Sequence, residues 1–321
     1  MIRKKPLFGS ACLDEVDLFE RAQSLQPDFS VLSESKLREQ TQAQGVALAS
    51  VALYQKICTE FYGFIEELNQ QAAEQFTVRQ PVKVLIVPGM FYQQFPEIGA
   101  DGQFIASILK RCGFEVDTVP TKSLGSIQDN ALLIEKRIVE DESQNVWIVS
   151  LSRGASEVRL ALQNLAGERV LTKIKGWLSL SGILSGAYLV DEILNRPMKK
   201  TLYRLYCRLI RADFRGLEEL HTQHPFWSQA FPENSHIEII HVTPMALLPH
   251  LHPKLVERYH LLAAYGPNDG TVNIWSAYDF PGKIYPVWGC DHFLRSSKIS
   301  ALIYKLGRYI NSKSTCEEIQ G

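Results

Sequence analysis

Residues 146–154 have the sequence Val146-Trp-Ile-Val-Ser-Leu-Ser152-Arg-Gly154, and this stretch decides the fold class. It begins as an apolar run rich in β-branched side chains, which is typical of a strand buried on both faces. Helical spacing follows it directly. A serine at such a junction projects its hydroxyl above the sheet if the positions two before and two after it are small. Gly154 meets that demand, and Ser150 stands where a glycine is usual.

Strand and helix patterns alternate around this stretch. The strand patterns lie at 82–89, 113–120, 146–151 and 174–181, with helical patterns at 104–112, 127–140 and 153–165 between and after them. Such alternation predicts an α/β fold, with a mostly parallel sheet flanked by helices and right-handed crossovers. Further strand patterns at 237–243, 259–265 and 283–288, and a final helical pattern at 298–310, continue it.

The regions outside this alternation are expected to be additions to one large domain. Residues 1–80 have helical spacing and little glycine, and Ser33 or Ser35 can cap a helix that begins near Lys36. This helical N-terminal extension, broken near Gly45 or Gly63, either packs on the main domain or forms a lid or dimer surface. We expect a main domain over 81–311, with an insertion at about 185–235 and a polar tail over 312–321.

The composition is that of an ordinary globular chain. It is 45% hydrophobic and 21% charged, which argues against disorder or a coiled coil throughout. The net charge of −1 gives no global field that favours nucleic acid. Six scattered cysteines without a CxxC pair suit a reducing compartment. The apolar run after Met1–Phe8 is too short for a signal peptide, and no stretch is long enough to span a membrane, so a cytoplasmic protein is expected.

Two C-terminal loops carry the partners that a nucleophilic serine needs. A serine hydroxyl requires a histidine base, and that histidine requires a carboxylate to orient it. Asp269 follows one strand pattern and His292 follows the last one. Loops that leave the same edge of a parallel sheet can bring these two side chains together. Asp291 is an alternative acid, although adjacent side chains on a loop seldom point the same way.

Together these motifs resemble the α/β-hydrolase superfamily, and within it the lipase- and esterase-like serine hydrolases. The motifs are a strand ending in Pro88-Gly89, then Ser150-Leu-Ser152-Arg-Gly154, Asn268-Asp269-Gly270-Thr-Val272 and Asp291-His292-Phe293. The resemblance covers about Pro81 to Asn311, and its one departure is Ser150 in place of glycine. It implies Ser152 as nucleophile, Asp269 as acid and His292 as base, with the insertion forming a cap over the site and with no cofactor.

Two backbone N–H groups should form an oxyanion hole. One belongs to Arg153, which follows the serine, and the other to the loop after the first strand. In that loop Gly89 lets the backbone turn, so Met90 is the first choice and Phe91 the second. The alternative is that Met90 and Phe91 only pack, although packing and donation are compatible because the donor is a main-chain atom. Phe91 is also a candidate for contact with substrate. Tyr188 and Trp227 of the insertion either line an acyl pocket or form the core of the cap.

The insertion also carries a basic stripe. On a single helix its five cations would lie within about 80°, opposite Leu202, Leu205, Tyr206, Leu209 and Ile210; the cations are Lys200, Arg204, Arg208, Arg211 and Arg215. Two interpretations stay open: a solvated face partly paired with Glu218 and Glu219, or contact with an anionic membrane surface or acidic substrate. The eight histidines between 221 and 292 lack an HExxH pattern, so no metal site is predicted.

The sequence therefore predicts a serine hydrolase that cleaves a carboxylic ester, of a small molecule or a lipid, through an acyl-enzyme. Two alternatives stay open. One is an acyltransferase that uses the same three residues, and the other is a non-catalytic hydrolase-like module that binds membranes.

Overall fold

The computed structural model describes residues 15–25, 32–232 and 236–315. Six parallel strands form one sheet in the order β2-β1-β3-β4-β5-β6. Their bounds are β1 Lys83–Val87, β2 Glu115–Thr118, β3 Val146–Leu151, β4 Ile174–Leu180, β5 Glu238–Met245 and β6 Lys283–Trp288. The predicted α/β class is confirmed, and this sheet is parallel throughout the described strands.

Thirteen α-helices surround the sheet in the described part of the chain. They are α1 Glu15–Ser24, α2 Glu34–Gln44, α3 Val46–Glu60, α4 Tyr62–Asn69, α5 Gln103–Arg111, α6 Ile127–Glu140, α7 Gly154–Asn164, α8 Tyr188–Leu194, α9 Pro197–Leu209, α10 Arg215–Glu218, α11 Val256–Leu262, α12 Trp275–Tyr278 and α13 Ile299–Thr315. Helix α13 continues past the predicted start of the polar tail, and the remainder of that tail lies outside the described residues. None of the described helices is long and apolar enough to cross a bilayer.

The core lies on both faces of the sheet because successive strand residues point to opposite sides. On β1, Val84 and Ile86 pack against α5 and α13, whereas Leu85 and Val87 pack against α6 and α7. The chain winds outward from β1 to β2 in one direction and from β3 to β6 in the other. The carboxyl ends of β1 and β3 therefore meet at the point where the strand order reverses, which is where open α/β sheets bind their ligands.

One predicted strand is wrong. Residues 259–265 form the end of helix α11 and a following 3₁₀ turn, not a strand. The apolar run there is made of leucine, alanine and aromatic residues without a β-branched side chain, and leucine and alanine favour a helix. Tyr259, Leu262 and Ala263 are buried at helical spacing, so one face of this helix packs inward.

The N-terminal helices pack against the β5 and β6 side of the sheet. Leu18 of α1 and Val51 of α3 share a hydrophobic core with Met245 and Ile284. The cap of α2 is Ser33, whose Oγ accepts a hydrogen bond from the N–H of Lys36 at 3.2 Å. The chain breaks at Gly45, where φ is +87°, and again at Phe61, so Gly63 lies inside α4 and does not interrupt the helix.

The predicted basic stripe does not lie on one helix. Helix α9 ends at Leu209, Arg211 follows with a φ of +56°, and Arg215 begins α10. The break is consistent with the left-handed backbone at Arg211, because an α-helix cannot continue through such a residue. Arg204 and Arg208 are therefore on α9, whereas Arg211 is in the turn after it.

Candidate functional site

The turn between β3 and α7 has the strained geometry that the sequence predicts. Ser152 has a φ of +50°, a left-handed conformation that is uncommon for a residue other than glycine and tends to occur at functional sites. Gly154 makes the turn possible, because a Cβ there would lie 2.6 Å from the carbonyl oxygen of Pro88 and 2.7 Å from that of Val87. The strand and helix backbones thus approach as closely as a nucleophile elbow requires.

Ser150 replaces the usual glycine without relaxing this turn. Its side chain is fully buried, and its Oγ accepts a hydrogen bond from the indole N–H of Trp177 at 2.8 Å. The hydroxyl is therefore satisfied by the neighbouring strand β4, and the elbow keeps its left-handed φ at Ser152.

Three predicted residues meet above the carboxyl edge of the sheet. His292 Nε2 lies 2.9 Å from Ser152 Oγ, and His292 Nδ1 lies 2.8 Å from Asp269 Oδ2. The carboxylate accepts the hydrogen of Nδ1, so Nε2 carries the lone pair that accepts the serine hydroxyl hydrogen. Asp269 and His292 are buried. Both distances are those of good hydrogen bonds.

The Asp269 loop is fixed by its own backbone. Asp269 Oδ1 accepts hydrogen bonds from the N–H groups of Thr271 at 2.8 Å and Val272 at 2.7 Å. The main-chain N–H of His292 donates to the carbonyl oxygen of Asp269 at 3.0 Å. The two loops are thus joined by main-chain and side-chain contacts, although the Asp269 loop follows a helix and a 3₁₀ turn and not the expected strand.

Asp291 does not compete for the imidazole. Its Oδ2 accepts a hydrogen bond from the N–H of His252 at 2.9 Å, and its Oδ1 accepts one from the N–H of Phe293 at 3.1 Å. Neighbouring Cys290 is buried, and that burial raises the pKa of its thiol. Asp291 therefore serves to hold the loop, and Cys290 has the character of an inert packed thiol.

The loop after β1 lies directly against the elbow. A Cβ on Gly89 would be 3.3 Å from Cβ of Ser152. The Gly89 N–H donates to Ala100 and the Phe91 N–H to Ser123, whereas the N–H groups of Met90 and Arg153 have no acceptor within the part of the chain that the structure describes. Of the two sequence candidates in this loop, Met90 thus has the available donor. Phe91 has a φ of +65°, and its ring packs 5.9 Å from that of Phe95.

The Arg153 side chain belongs to a buried cluster that the sequence analysis did not identify. Its guanidinium pairs with Glu157 at 2.9 Å and donates to the carbonyl oxygens of Gly125 at 2.9 Å and Ser123 at 3.4 Å. Burial raises the pKa of Glu157 to about 7, against the opposing effect of Arg153. The sequence feature that could have predicted this ion pair is the spacing of Arg153 and Glu157, which are four residues apart at the start of a helical pattern.

This cluster connects the elbow to the loop after β1. The carbonyl oxygen of Ser123, which Arg153 contacts, also accepts the N–H of Phe91 at 3.4 Å. Ser123 Oγ donates to Gln94 at 2.6 Å, and the Tyr92 hydroxyl donates to the carbonyl oxygen of Thr121 at 2.6 Å. Residues 121–125 therefore brace the loop that carries the Met90 amide.

The predicted aromatic residues of the insertion are engaged in packing contacts. Tyr188 stacks on Tyr265 with ring centroids 4.2 Å apart, and its hydroxyl contacts Glu34 and Arg38 of α2. Trp227 packs on Phe226 with centroids 4.3 Å apart. The Trp227 contact lies within the insertion and fits the predicted core of a cap. Tyr188 instead packs against residues outside the insertion.

Several solved structures are similar to this chain, and two of them serve as examples. A metagenomic carboxyl esterase matches with a TM-score of 0.56 and 16% sequence identity, over 76% of this chain and 79% of that one. The mature lipase BlEst2 of Bacillus licheniformis matches with a TM-score of 0.50 and 16% identity, over 75% of this chain and 97% of that one. No family model and no curated protein matches. The likeness, together with the parallel sheet, shows that the chain has the α/β-hydrolase fold.

Proposed function

We propose that this chain is a serine hydrolase of carboxylic esters, with Ser152 as nucleophile, His292 as base and Asp269 as the acid that orients it. The observation that carries the proposal is the unbroken hydrogen-bond chain from Ser152 Oγ through the imidazole to Asp269 Oδ2, built on a strained turn. Two of the similar solved structures are of a carboxyl esterase and a lipase, which supports esters as the substrate class.

The proposed reaction begins with proton transfer to the imidazole. His292 Nε2 takes the hydroxyl proton while Ser152 Oγ attacks the ester carbonyl carbon, and the buried carboxylate of Asp269 stabilises the resulting imidazolium. Charge develops on the carbonyl oxygen at this step. The N–H groups of Met90 and Arg153 supply donors for it, since neither has another acceptor among the described residues.

The acyl-enzyme is then hydrolysed by water. His292 returns its proton to the departing alkoxide, so the alcohol leaves and the acyl group stays on Ser152. Water delivers a proton to the same Nε2 while its oxygen attacks the acyl carbon. The bond between the acyl carbon and Ser152 Oγ then breaks, Oγ takes the proton back from Nε2, and the carboxylic acid is released. No step requires a cofactor, and every group involved lies in the proposed 81–311 domain.

Turnover of p-nitrophenyl esters of increasing acyl length tests this proposal. We expect release of p-nitrophenol by the wild type and loss of that activity by at least about 10³-fold in Ser152→Ala. Ser181→Ala is the matched control, because Ser181 directly follows the adjacent strand β4 and has the same φ of +50°. The proposal fails if no ester is turned over, or if Ser152→Ala is as active as the wild type.

Product analysis distinguishes hydrolysis from acyl transfer. With a short alcohol added, a hydrolase releases mainly the carboxylic acid, whereas a transferase forms a new ester because its site favours that acceptor over water. We expect the acid as the main product. A new ester as the main product at low alcohol concentration would identify a transferase.

A further inference from the structure

Helix α9 presents its apolar side to solvent. Met198, Leu202, Leu205 and Leu209 lie within about 60° of one another around the helix. Their side chains are between 62% and 81% exposed, and no residue of α9 is buried. An ordinary surface helix turns its apolar stripe toward the core. We call these four residues the α9 stripe.

The opposite side of α9 faces the protein and carries polar residues. Lys200 and Cys207 are its less exposed positions, and Ile210 directly follows the helix on the same side. Lys200 and Arg204 pair with Glu218 at 3.3 Å each, which holds the helix against α10. These ion pairs fix the polar side of the helix against the protein, and the α9 stripe consequently faces solvent.

Cations flank the α9 stripe without neutralising partners. Lys199, Arg208 and Arg211 form no ion pair with any residue in the described ranges. Residues 196–215 contain seven basic side chains and Asp213 as their one acidic side chain. An outward apolar stripe bordered by cations has the composition of a helix that lies in the headgroup layer of an anionic membrane.

The helix is connected to the rim of the proposed active site. Four residues after α9 ends, the N–H of Asp213 donates to the carbonyl oxygen of Leu124 at 2.9 Å. A Cβ on Gly216 would lie 3.2 Å from the Arg153 guanidinium. A surface that binds α9 would thus lie next to residues 121–125 and the Arg153 side chain, which support the turn at Ser152 and the loop that carries Met90.

We propose that α9 is a docking surface for an anionic lipid bilayer, with the α9 stripe inserted among the acyl chains and Arg208 and Arg211 at the phosphates. A second copy of the chain fits less well. Two α9 stripes packed face to face would bring their flanking cations together, and these would repel. The docking is independent of the chemistry proposed for Ser152.

Vesicle sedimentation with the full chain tests the docking surface. We expect binding to vesicles of equimolar phosphatidylglycerol and phosphatidylcholine, with weaker binding at high salt and to phosphatidylcholine alone. Leu202→Gln/Leu205→Gln should reduce partitioning by about 100-fold or more, since glutamine keeps the helix propensity but removes the inserting groups. Arg208→Gln/Arg211→Gln should reduce it by about 30-fold.

Helices α5 and α6 provide the matched controls. Leu132→Gln/Val139→Gln removes two exposed apolar side chains from α6, and Lys110→Gln/Lys136→Gln removes two exposed cations. Both controls should bind vesicles like the wild type. If the controls lost as much vesicle binding as the α9 variants, binding would depend on total charge or apolar surface. That result would contradict a specific role of α9.

Two further outcomes would overturn the proposal. One is a wild type that binds neither vesicle. The other is a wild-type dimer that Leu202→Gln/Leu205→Gln dissociates in the absence of vesicle binding, which would make a second copy the partner. Ser152→Ala should bind vesicles like the wild type, so loss of ester hydrolysis and loss of docking are separate results.

Discussion

At the scale of single residues, the reaction proposed for Ser152 depends on the orientation of one imidazole. Asp269 holds Nδ1 of His292 and is itself held by two backbone N–H groups. The sequence supports this pair through the order and loop position of the two residues. It leaves Asp291 open as a rival, because only the folded loop turns that carboxylate toward the N–H of His252.

Substitution of each aspartate by asparagine distinguishes the acid that orients His292 from the aspartate that holds the loop. We expect Asp269→Asn to lower kcat by about 10⁴-fold with little change in KM, because the amide cannot stabilise the imidazolium or fix its tautomer. Asp291→Asn should keep kcat within a few fold of the wild type while reducing stability. Steady-state kinetics on a soluble ester provide the measurement, and the reverse order of effects would assign the acid to Asp291.

The buried pair of Arg153 and Glu157 makes a second residue-scale prediction. Arg153→Met leaves the Glu157 carboxyl buried without its counter-ion and should destabilise the protein by about 3 kcal/mol. The double variant Arg153→Met/Glu157→Leu should recover much of that loss, since it removes both charges. Urea unfolding measures both, and additive losses in the double variant would contradict the coupling.

At the scale of elements, the strand patterns with β-branched residues were predicted well. Strands β1 to β6 all lie where such runs occur. The buried strands β1, β3, β4 and β5 tolerate few other compositions. The strand predicted at 259–265 was wrong, because an apolar run without β-branched residues fits a helix as well as a strand. The prediction of a single basic helix was wrong because cation spacing does not reveal a helix end. The main chain closes α9 at Arg211, where the N–H of Ala212 donates to the carbonyl oxygen of Cys207 at 2.8 Å.

The tight crossing of β1 and α7 gives an element-scale prediction. Gly154→Ala would place a Cβ within 2.7 Å of two carbonyl oxygens of the β1 end. We expect a loss of stability of about 1 to 3 kcal/mol and a disproportionate loss of kcat, because the turn that presents Ser152 must shift. Thermal and urea unfolding, with kinetics, measure these effects.

Gly63→Ala is the control for that substitution. Gly63 lies inside α4 with no atom within 4 Å of the added Cβ, so the variant should gain about 0.5 to 1 kcal/mol. Equal effects of the two substitutions would show that the approach of β1 and α7 is not the reason for Gly154.

At the scale of the whole molecule, a buried histidine links stability to pH. His241 on β5 packs between Trp177 and Phe280, with Nε2 3.0 Å from the carbonyl oxygen of Pro281. Burial lowers its pKa to about 4 from the usual 6.5. The unfolded chain therefore binds more protons than the native one between these values, so stability falls as the pH decreases through this window.

We expect His241 to account for a loss of up to about 3 kcal/mol between pH 7 and pH 4. His241→Gln keeps a donor for the Pro281 carbonyl but cannot titrate. The difference in unfolding free energy between wild type and variant should therefore shift in favour of the variant as the pH falls. A difference that is the same at both pH values would contradict this assignment.

Covalent labelling shows whether Ser152 is the activated nucleophile that we propose. The wild type is treated with a fluorophosphonate at neutral pH, and the modified peptide is identified by mass spectrometry, with Ser152→Ala and Ser181→Ala in parallel. We expect one adduct on Ser152 in the wild type and in Ser181→Ala, and none in Ser152→Ala. A wild type that stays unlabelled, or an adduct that persists in Ser152→Ala, would show that Ser152 is not the nucleophile.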